Sequence, residues 1–462
     1  MLRRSMAAMA AGALTASTLC ATVITGVVSA GGVSTAAAGI PPLSKFVNRP
    51  FVGKPPTTVQ CLNSTGFACY SPNQFETAYD MKSLYADNWT GAGETIALVD
   101  SFGSPTIKKD LATFDAGFGL PAPPSFKIIQ PAGKVPPYNP KNSLMVSWAE
   151  ETSLDVEYAH AMAPGANLLL VETPVAETIG LQGFPQIVAA ENYVIKHKMA
   201  DVISQSLAAA EASFPSASSI LKLRSAYIAA VKAHVTVLGA AGDWGETSPS
   251  DASESTYYTH ATANWPATDP LVTSVGGLQL HLNAAGDQVL APNVWNENSL
   301  LGGPVAGGGG VSSVFGRPSY QNSVESVVGD HRGVPDLSMS ASVNGGALVY
   351  MSFKGLPGPA YYIIGGTSEA TPLLAGVIAV ADQYAGHPLG LINPALYKIA
   401  ATKGETGIVD VTTGENTVTF VQNGHTYTVP GAVAGPGYDL SSGLGTIDGA
   451  SFVPELAKAD QW

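Results

Sequence analysis

The sequence predicts an α/β fold, with a mostly parallel central sheet and helices on both faces. Two observations carry this prediction: short, continuously apolar runs are typical of buried strands, and stretches with helical periodicity lie between them. Composition agrees, because 45% of the 462 residues are hydrophobic, and a chain this long and apolar can bury a sizeable core. The net charge of −13 at pH 7 argues against nucleic acid as a partner, since phosphate binding needs a basic face.

Strands and helices alternate along the chain from residue 95 onward. Apolar runs predict strands at 95–100, 167–172, 201–206, 235–240 and 271–275. Helical patterns lie at 108–118, 186–199 and 218–233. Near the end of the chain, two alternating segments flank Asn423-Gly424, which predicts a hairpin at the edge of the fold, with strands at 417–422 and 425–429. This order fits one α/β domain without internal repeats.

Residues 1–38 have the features of a secretory signal peptide. Arg3 and Arg4 precede a stretch that carries no charge up to Ala38 and ends in small residues. The cleavage pattern places the cut after Ala30 or Ala38. An uncleaved membrane anchor is the alternative, which the richness in Ala, Gly and Thr disfavours. We therefore expect a secreted, extracellular protein without membrane contact once the signal is removed.

Residues 39–72 are rich in proline and lack periodicity, which predicts an extended N-terminal arm. The segment is too short to form a full folded prodomain. Residues 73–462 are then the predicted α/β domain. Cys61 and Cys69 remain after signal cleavage, and in a secreted chain their short spacing favours one disulfide.

A helix with two carboxylates is predicted to begin at the capping-box sequence SWAE, residues 147–150, and to end before Pro164. Glu151 and Asp155 share its core-facing stripe with four other residues, Leu154, Tyr158, Ala161 and Met162. Buried carboxylates are costly unless they find partners or shift their pKa. For these two residues alone, a slightly rotated helix with both acids in solvent remains open.

A second polar position lies where an apolar run ends in Gly365-Gly366-Thr367-Ser368. A nearly uncharged helical stretch, 369–385, follows with Pro372 in its first turn. Ser368 would then lie at a helix start, where its backbone N–H and the helix dipole can stabilise a developing oxyanion. A plain N-cap serine is the alternative interpretation of this turn.

The string GGTSEATP resembles the serine box of subtilisin-like peptidases, and EETSLDVEYAHAMAPGA is similar to the Glu-x-x-x-Asp box of the sedolisin (serine-carboxyl) peptidases. Further matches follow in the family's order: VLGAAGDWG, WPATDPLVTSVGG, GGGGVSSVFGRPSYQ, RGVPDLSMSAS, LGLINPALY and GPGYDLSSGLG. The resemblance covers the chain from about Ser71 to the C-terminus. It implies a subtilisin-like fold and a sedolisin-like peptidase domain over residues 73–462.

The resemblance implies a serine-type endopeptidase that hydrolyses peptide bonds through an acyl-enzyme. Ser368 would be the nucleophile, Glu151 the general base, and Asp155 the residue that orients and charges this base. Asp243 would donate a hydrogen bond in the oxyanion hole, alongside the backbone N–H of Ser368. A carboxylate base stays ionised in acid, whereas Asp243 can donate only while it is protonated. We therefore expect protein or peptide substrates, greatest activity at acidic pH and a monomer; side-chain specificity and tripeptidyl-peptidase action stay open.

The same resemblance implies one structural Ca²⁺ ion. Its ligands would be the carboxylates of Asp410 and Asp439 together with backbone carbonyls of Val411, Gly435 and Gly437. Such an all-oxygen shell suits a hard cation. The ion would hold the Asn423-Gly424 hairpin region onto the domain.

The resemblance also implies that residues 201–206 line the substrate groove, where a substrate strand pairs with a sheet edge. The family pattern there is S-x-S-x-G followed by an acid. This chain instead reads SQSLA at 204–208, with Glu211 later. Ala208 in place of glycine is expected to crowd the first substrate pocket.

Two other interpretations of the same residues are open. A subtilisin-type peptidase would use Asp100, His160 and Ser368, but His160 lies about 180° around the helix from Glu151 and lacks a His-Gly-Thr-His context. A secreted non-catalytic binding protein on a peptidase scaffold is the other. It is weakened because all four candidate catalytic residues are present.

Overall fold

The computed structural model describes residues 45–402, 404 and 406–459. The predicted signal segment and its candidate cleavage sites lie outside these residues. The strands are β1 Lys45–Phe51, β2 Cys69–Tyr70, β3 Thr95–Ser101, β4 Phe126–Ile129, β5 Asn167–Thr173, β6 Val202–Gln205, β7 Ala209–Ala210, β8 Thr236–Ala240, β9 Asn264–Trp265, β10 Thr273–Leu282, β11 Gln288–Val294, β12 Gly310–Gly316, β13 His331–Val334, β14 Leu337–Ser340, β15 Gly346–Met351, β16 Ala360–Gly365, β17 Ile408–Val409, β18 Val418–Gln422, β19 His425–Val429 and β20 Thr446–Ile447.

The helices are α1 Thr58–Thr65, α2 Pro72–Ala78, α3 Lys82–Ala86, α4 Ile107–Phe118, α5 Ser143–Met162, α6 Phe184–Lys196, α7 Ala217–Leu223, α8 Ser225–Ala233, α9 Asn298–Leu301, α10 Glu325–Val328, α11 Thr367–Ala385, α12 Asn393–Ala400 and α13 Gly449–Ala459. Two 3₁₀ turns lie at Glu211–Ser213 and Ser319–Val324. None of the helices in the described ranges is long and apolar enough to cross a membrane.

An eight-stranded sheet forms the centre, in the order β11-β10-β8-β6-β3-β5-β4 with β14 beside β10. Every pair in it is parallel except β10 with β11. Its inner strands are buried along nearly their whole length, as their apolar runs predicted. The predicted fold class is therefore confirmed. The carboxyl ends of β3, β6 and β8 meet at one edge, and Asp100, Ser206 and Asp243 lie at or just beyond these ends.

Helices α5 and α11 pack against each other in the core beside this sheet. A Cβ on Gly376 of α11 would lie 2.5 Å from the Cβ of Met162 on α5. Only glycine permits this close approach. The two helices that carry the predicted catalytic residues are thus held together along their lengths.

Helix α5 begins about one turn before the predicted capping box. Asn142 caps it, since its side-chain oxygen accepts the backbone N–H of Leu144 at 3.0 Å. Ser147 lies buried inside the helix, so its predicted role as the cap is wrong. The helix has almost no solvated face, because sixteen of its residues are buried, including Glu157 and His160.

The segment 45–72 differs from the predicted extended arm, because it contains β1, α1 and β2. Strand β1 pairs antiparallel with β16, and β2 pairs parallel with β15, so both belong to the four-stranded sheet β1-β16-β15-β2. The predicted disulfide between Cys61 and Cys69 is confirmed and joins α1 to β2. The partner strands β15 and β16 lie far from β1 and β2 in the sequence, so the pairing leaves no local sequence signal. Composition alone therefore indicated an extended arm.

Two other predicted elements are confirmed with changes. The helix at 218–233 is divided at Arg224 into α7 and α8, and the Arg224 guanidinium binds both carboxylate oxygens of Asp269 at 2.6 and 2.8 Å. The predicted hairpin is β18 with β19. Asn423 and Gly424 have φ of 52° and 75°, as a type I′ turn requires.

Candidate active site

The predicted nucleophile lies at the junction between β16 and α11. Gly366 has φ 126°, a conformation that favours glycine, and its N–H donates to the carbonyl of Ala341 at 2.6 Å. This turn places Ser368 in the first turn of α11, as the sequence predicted. The Ser368 hydroxyl is buried, and no described residue forms a hydrogen bond with it.

Glu151 and Asp155 lie one turn apart on α5, and both are fully buried, as predicted from their stripe. Asp155 Oδ1 accepts a hydrogen bond from the Ser206 hydroxyl at 2.7 Å. The same hydroxyl oxygen lies 3.4 Å from the carbonyl oxygen of Ser368. Ser206, at the end of the β6 segment, therefore connects the acid helix to the nucleophile turn.

A third carboxyl group, Asp100, joins these two at the carboxyl end of β3. Burial raises the pKa of Asp155 well above its usual value, and the charges of Asp100 and Glu151 raise it further. Burial also raises the pKa of Asp100 to about 7, although the nearby side chains of Thr152 and Asp155 lower it. Three carboxyl groups in one dry cluster cannot all ionise, so the cluster keeps protons well into the neutral range. In the sequence, the position of Asp100 at the end of a buried strand indicated a functional residue, but only as part of a histidine triad.

Asp243 follows β8 and faces the start of α11. Its Oδ1 accepts hydrogen bonds from the Thr367 backbone N–H and hydroxyl, both at 2.8 Å. Its Oδ2 is buried and has no hydrogen-bond partner in the described part of the chain. Burial raises the pKa of Asp243 to about 7, although the positive charge of Lys45 and the bonds from Thr367 lower it. Below that pH the group carries a proton, and Oδ2 is the oxygen whose hydrogen-bonding capacity is unused.

His160 has a different environment. Its Nε2 lies 2.7 Å from the carbonyl oxygen of Pro121 and 3.4 Å from Asp115 Oδ1, beside helix α4. Burial lowers the pKa of His160. Asp100 meanwhile contacts Asp155, so the structure does not bring Asp100, His160 and Ser368 together as a subtilisin-type triad would need.

The predicted substrate edge at 201–206 is wrong as stated. Strand β6 is paired with β3 on one side and β8 on the other, so it has no free edge for a substrate strand. In this part of the chain, a substrate strand could pair only with the residues that follow β6. Among them, Ala208 packs with Ala240 and Trp244, next to Asp243.

The predicted calcium ligands lie together around one loop. The Asp410 carboxylate accepts the Gly437 N–H at 2.8 Å, and the Asp439 carboxylate accepts the Gly435 N–H at 3.1 Å. The other oxygen of Asp439 accepts hydrogen bonds from Ser441 and Ser442. The contacts that the structure shows at these two carboxylates are with backbone N–H and serine donors, and carboxylate oxygens are the ligand type that a hard cation prefers.

Comparisons with known proteins agree with this geometry. The Subtilase family matches residues 143–398 of the chain. Kumamolisin from Bacillus sp. (strain MN-32) is 30% identical over 84% of this chain and 63% of its own length. Sedolisin from Pseudomonas sp. (strain 101) is 28% identical over 82% of this chain and 60% of its own length.

A solved structure of Pseudomonas sedolisin, a serine-carboxyl proteinase complexed with pseudo-iodotyrostatin, superimposes with a TM-score of 0.69 at 26% identity. The match covers 85% of this chain and 99% of the other. The chain thus spans between 60% and 63% of the two sequence relatives named above, and nearly all of the solved domain. The chain belongs to the subtilase family, and within it to the sedolisin-type serine-carboxyl peptidases with a subtilisin-like fold.

Proposed function

We propose that the protein is a secreted serine-carboxyl peptidase that hydrolyses peptide bonds through an acyl-enzyme at acidic pH. The observation that carries this proposal is the pair of uncommitted oxygens, Ser368 Oγ and Asp243 Oδ2, on either side of the α11 start. A nucleophile and an oxyanion donor need such free hydrogen-bonding capacity, since a substrate must supply the missing partner.

In the acylation step, Ser368 Oγ attacks the carbonyl carbon of the scissile peptide bond and gives its proton to the Glu151 carboxylate. The C–N bond then breaks, and the amine leaves with that proton. Protonated Asp243 and the backbone N–H of Ser368 stabilise the oxyanion. Water then attacks the acyl-enzyme, again with Glu151 as the base, and releases the carboxylic acid and the free serine.

The carboxyl cluster supports the proposed acidic optimum. Glu151 must carry a negative charge, while Asp100 and Asp155 are held toward their protonated forms by burial. A protonated Asp100 or Asp155 can donate a hydrogen bond within the cluster. Such a bond orients Glu151, the base, without placing a second negative charge beside it. Asp243 loses its donor proton as the pH rises through about 7, so activity should fall there.

The proposal also includes secretion, endopeptidase action and one structural Ca²⁺ ion. Secretion is supported by the signal-like segment 1–38. Endopeptidase action is supported by the likeness to sedolisin, which is named a serine-carboxyl proteinase. One Ca²⁺ ion, held by Asp410, Asp439 and the carbonyls of Val411, Gly435 and Gly437, would supply a positive charge that fastens the C-terminal loops.

The direct test is casein hydrolysis at about pH 4 and at about pH 8. Wild-type protein should release peptides in acid only, and Ser368→Ala and Glu151→Gln should each remove this activity. His160→Ala should keep it, since His160 lies beside α4. Mass spectrometry of the products separates the endopeptidase proposal, which gives internal fragments of mixed length, from tripeptidyl release. Casein binding without hydrolysis at either pH would instead support the non-catalytic scaffold.

A further inference from the structure

The side chain of Thr367 lies between the proposed nucleophile and the proposed oxyanion donor. Thr367 directly precedes Ser368 in the chain and is fully buried. Its hydroxyl oxygen lies 2.8 Å from Asp243 Oδ1, and its backbone N–H donates to the same oxygen at 2.8 Å. One carboxyl oxygen of Asp243 therefore has two contacts with a single residue, whereas the other oxygen has none within the described residues.

The direction of the bond from the Thr367 hydroxyl follows from a third group, the backbone N–H of Gly242. A hydroxyl can donate or accept, so its role depends on its other neighbours. The Gly242 N–H donates to the Thr367 hydroxyl oxygen at 3.2 Å. Gly242 has φ 114°, and a Cβ there would collide with the side chain of Asn264, so glycine is needed to present this N–H. Because this donor occupies one side of the oxygen, the hydroxyl proton points away from it, toward Asp243 Oδ1.

These directed bonds decide which oxygen of a protonated Asp243 carries the proton. An oxygen that accepts two hydrogen bonds turns its lone pairs toward the two donors, and a proton on Oδ1 would face the Thr367 N–H. The proton is therefore placed on Oδ2, the oxygen that is left to donate to the oxyanion. A donor that already points in the right direction needs no reorganisation when the oxyanion forms.

Three other ionisable side chains interact with Asp243 from the elements around it. Lys45 of β1 lies over the ring of Trp244, with Nζ 4.9 Å from the ring centroid and 3.9 Å from Glu254 Oε2. The positive charge of Lys45 lowers the pKa of Asp243, and the charge of Glu254 raises it. The third is Glu369 of α11, whose own pKa burial raises well above its usual value. None of the three forms a hydrogen bond with Asp243 in the described ranges, so they change its charge and do not select an oxygen.

We propose that Thr367 is a positioning residue that holds the proton of Asp243 on Oδ2 and so aims it at the oxyanion. This inference rests on the proposed peptidase function. The same hydroxyl lowers the pKa of Asp243, because it stabilises the ionised form. Thr367 therefore has two effects: it raises the rate in acid, and it lowers the pH at which Asp243 loses the proton.

The first test is Thr367→Val, which removes the hydroxyl and keeps the backbone N–H and nearly the same volume. We expect kcat in acid to fall by about tenfold, because the proton is no longer confined to Oδ2. The alkaline fall of kcat should at the same time move up by about one pH unit, because the ionised form loses a hydrogen bond. Thr367→Ser should restore both values. An unchanged kcat, or a lower kcat with an unmoved pH profile, contradicts the proposal.

Thr371→Val is the matched control on the same helix. Thr371 is also buried, and its hydroxyl donates to the backbone carbonyl of Thr367 at 2.7 Å. This variant removes the same kind of hydroxyl one turn later and leaves both bonds to Asp243 in place, so its pH profile should match that of the wild type. An equal shift in both valine variants would mean that any hydroxyl lost from α11 moves the profile, and the role of Thr367 would be wrong.

The second test repeats Thr367→Val in the Asp243→Asn background. An amide nitrogen cannot accept the Thr367 N–H, so the amide oxygen stays toward Thr367 and the NH₂ group points to the oxyanion, with or without the hydroxyl. The loss of kcat should therefore shrink from about tenfold to less than about twofold. An equal loss in both backgrounds would show that Thr367 acts independently of the Asp243 proton, which rejects the inference.

A third measurement does not depend on catalysis. In Ser368→Ala protein that is isotope-labelled at the aspartate carboxyl carbons, NMR identifies the Asp243 signal by its loss in Asp243→Asn. Thr367→Val should raise the pKa of this carboxyl group by about one unit. If the wild type hydrolyses no peptide but this shift is present, the proposed function fails and the role of the hydroxyl stands. If casein is hydrolysed in acid but Thr367→Val moves neither this pKa nor the pH profile, the inference on Thr367 fails alone.

Discussion

Two groups of buried charged side chains lie in this protein, and they differ in how completely their charges are paired. In the first, Arg332 and Asp336 form a two-point ion pair without solvent exposure. Asp336 also accepts the N–H of Ser274 at 2.8 Å and the hydroxyl of Tyr397 at 2.9 Å. Every oxygen of this carboxylate is satisfied by the protein itself, as a structural role requires.

The second group is the acid cluster around the nucleophile. Asp100, Asp155 and Asp243 are buried, and none forms an ion pair with another described residue. Burial raises their pKa values, so protons take the place of counter-ions. Both groups are buried, so pairing, and not burial, distinguishes the Arg332–Asp336 pair from the three candidate catalytic acids. Changes in the first group should lower stability, and changes in the second should lower activity.

The largest expected effect is on activity. Ser368→Ala should lower kcat by about 10⁶-fold, the scale on which a serine peptidase loses its nucleophile. The free energy of unfolding should stay equal or rise, because the removed hydroxyl has no partner among the described residues. Acid casein hydrolysis and urea unfolding measure the two quantities. Ser274→Ala, which removes another buried hydroxyl without a partner among the described residues, should keep kcat.

Breaking the paired group should have the opposite signature. Arg332→Met should lower the free energy of unfolding by about 3–5 kcal/mol, because it leaves Asp336 buried without its cation. Activity per folded molecule should be retained. Lys458→Met is the control, since it removes a pair whose side chains are 73% and 37% exposed, and it should cost less than about 1 kcal/mol. A small stability change with a large loss of kcat for Arg332→Met would contradict the distinction.

Asp243 can be tested through the pH profile. In Asp243→Asn, the amide oxygen can still accept from Thr367 while the NH₂ group donates where Oδ2 now lies. The fall of kcat that we expect near pH 7 should therefore move to higher pH. Asp243→Ala removes the donor and should cost about 10²–10³ in kcat at every pH. If kcat of Asp243→Asn falls at the same pH as kcat of the wild type, Asp243 is not the hydrogen-bond donor to the oxyanion.

A smaller effect on stability should follow from buried acids outside the site. Burial raises the pKa of Glu191 to about 8, whereas in the unfolded chain a glutamate titrates near about 4.3. The folded state thus keeps a proton that the unfolded state loses, so stability present in acid is lost as the pH rises through this window. Glu191→Gln should flatten the fall in unfolding free energy between about pH 5 and about pH 7.5. Glu325→Gln, an exposed position, should leave the slope unchanged.

The smallest expected effect concerns Ca²⁺. Chelation with EDTA should lower the melting temperature of the wild-type protein by a few degrees, because a bound ion stabilises only the folded state. Asp410→Ala removes one proposed ligand and should abolish this response. An identical melting temperature with and without EDTA would argue against the ion.

The positions of three candidate residues could be predicted from local patterns, and the resemblance to the sedolisin family supplied their roles. Ser368 follows two glycines at the start of a helix, and Glu151 and Asp155 share one stripe of α5. The parallel sheet could be predicted because buried strands are continuously apolar. The cap of α5 could not, since Asn142 and the SWAE segment both carry plausible capping side chains, and only the packed structure chooses between them.

The sequence by itself determined the fold class and the disulfide, because period and spacing act over a few residues, and its resemblance to the sedolisin family supplied the four catalytic candidates. The tertiary structure decided which distant groups share one dry space. It brought Asp100 to Asp155, Thr367 to Asp243, and Lys45 to Trp244 and Glu254. The physical reason is that desolvation and Coulomb interaction depend on distance in space. Residues hundreds of positions apart therefore carry no signal of their contact until the chain has folded.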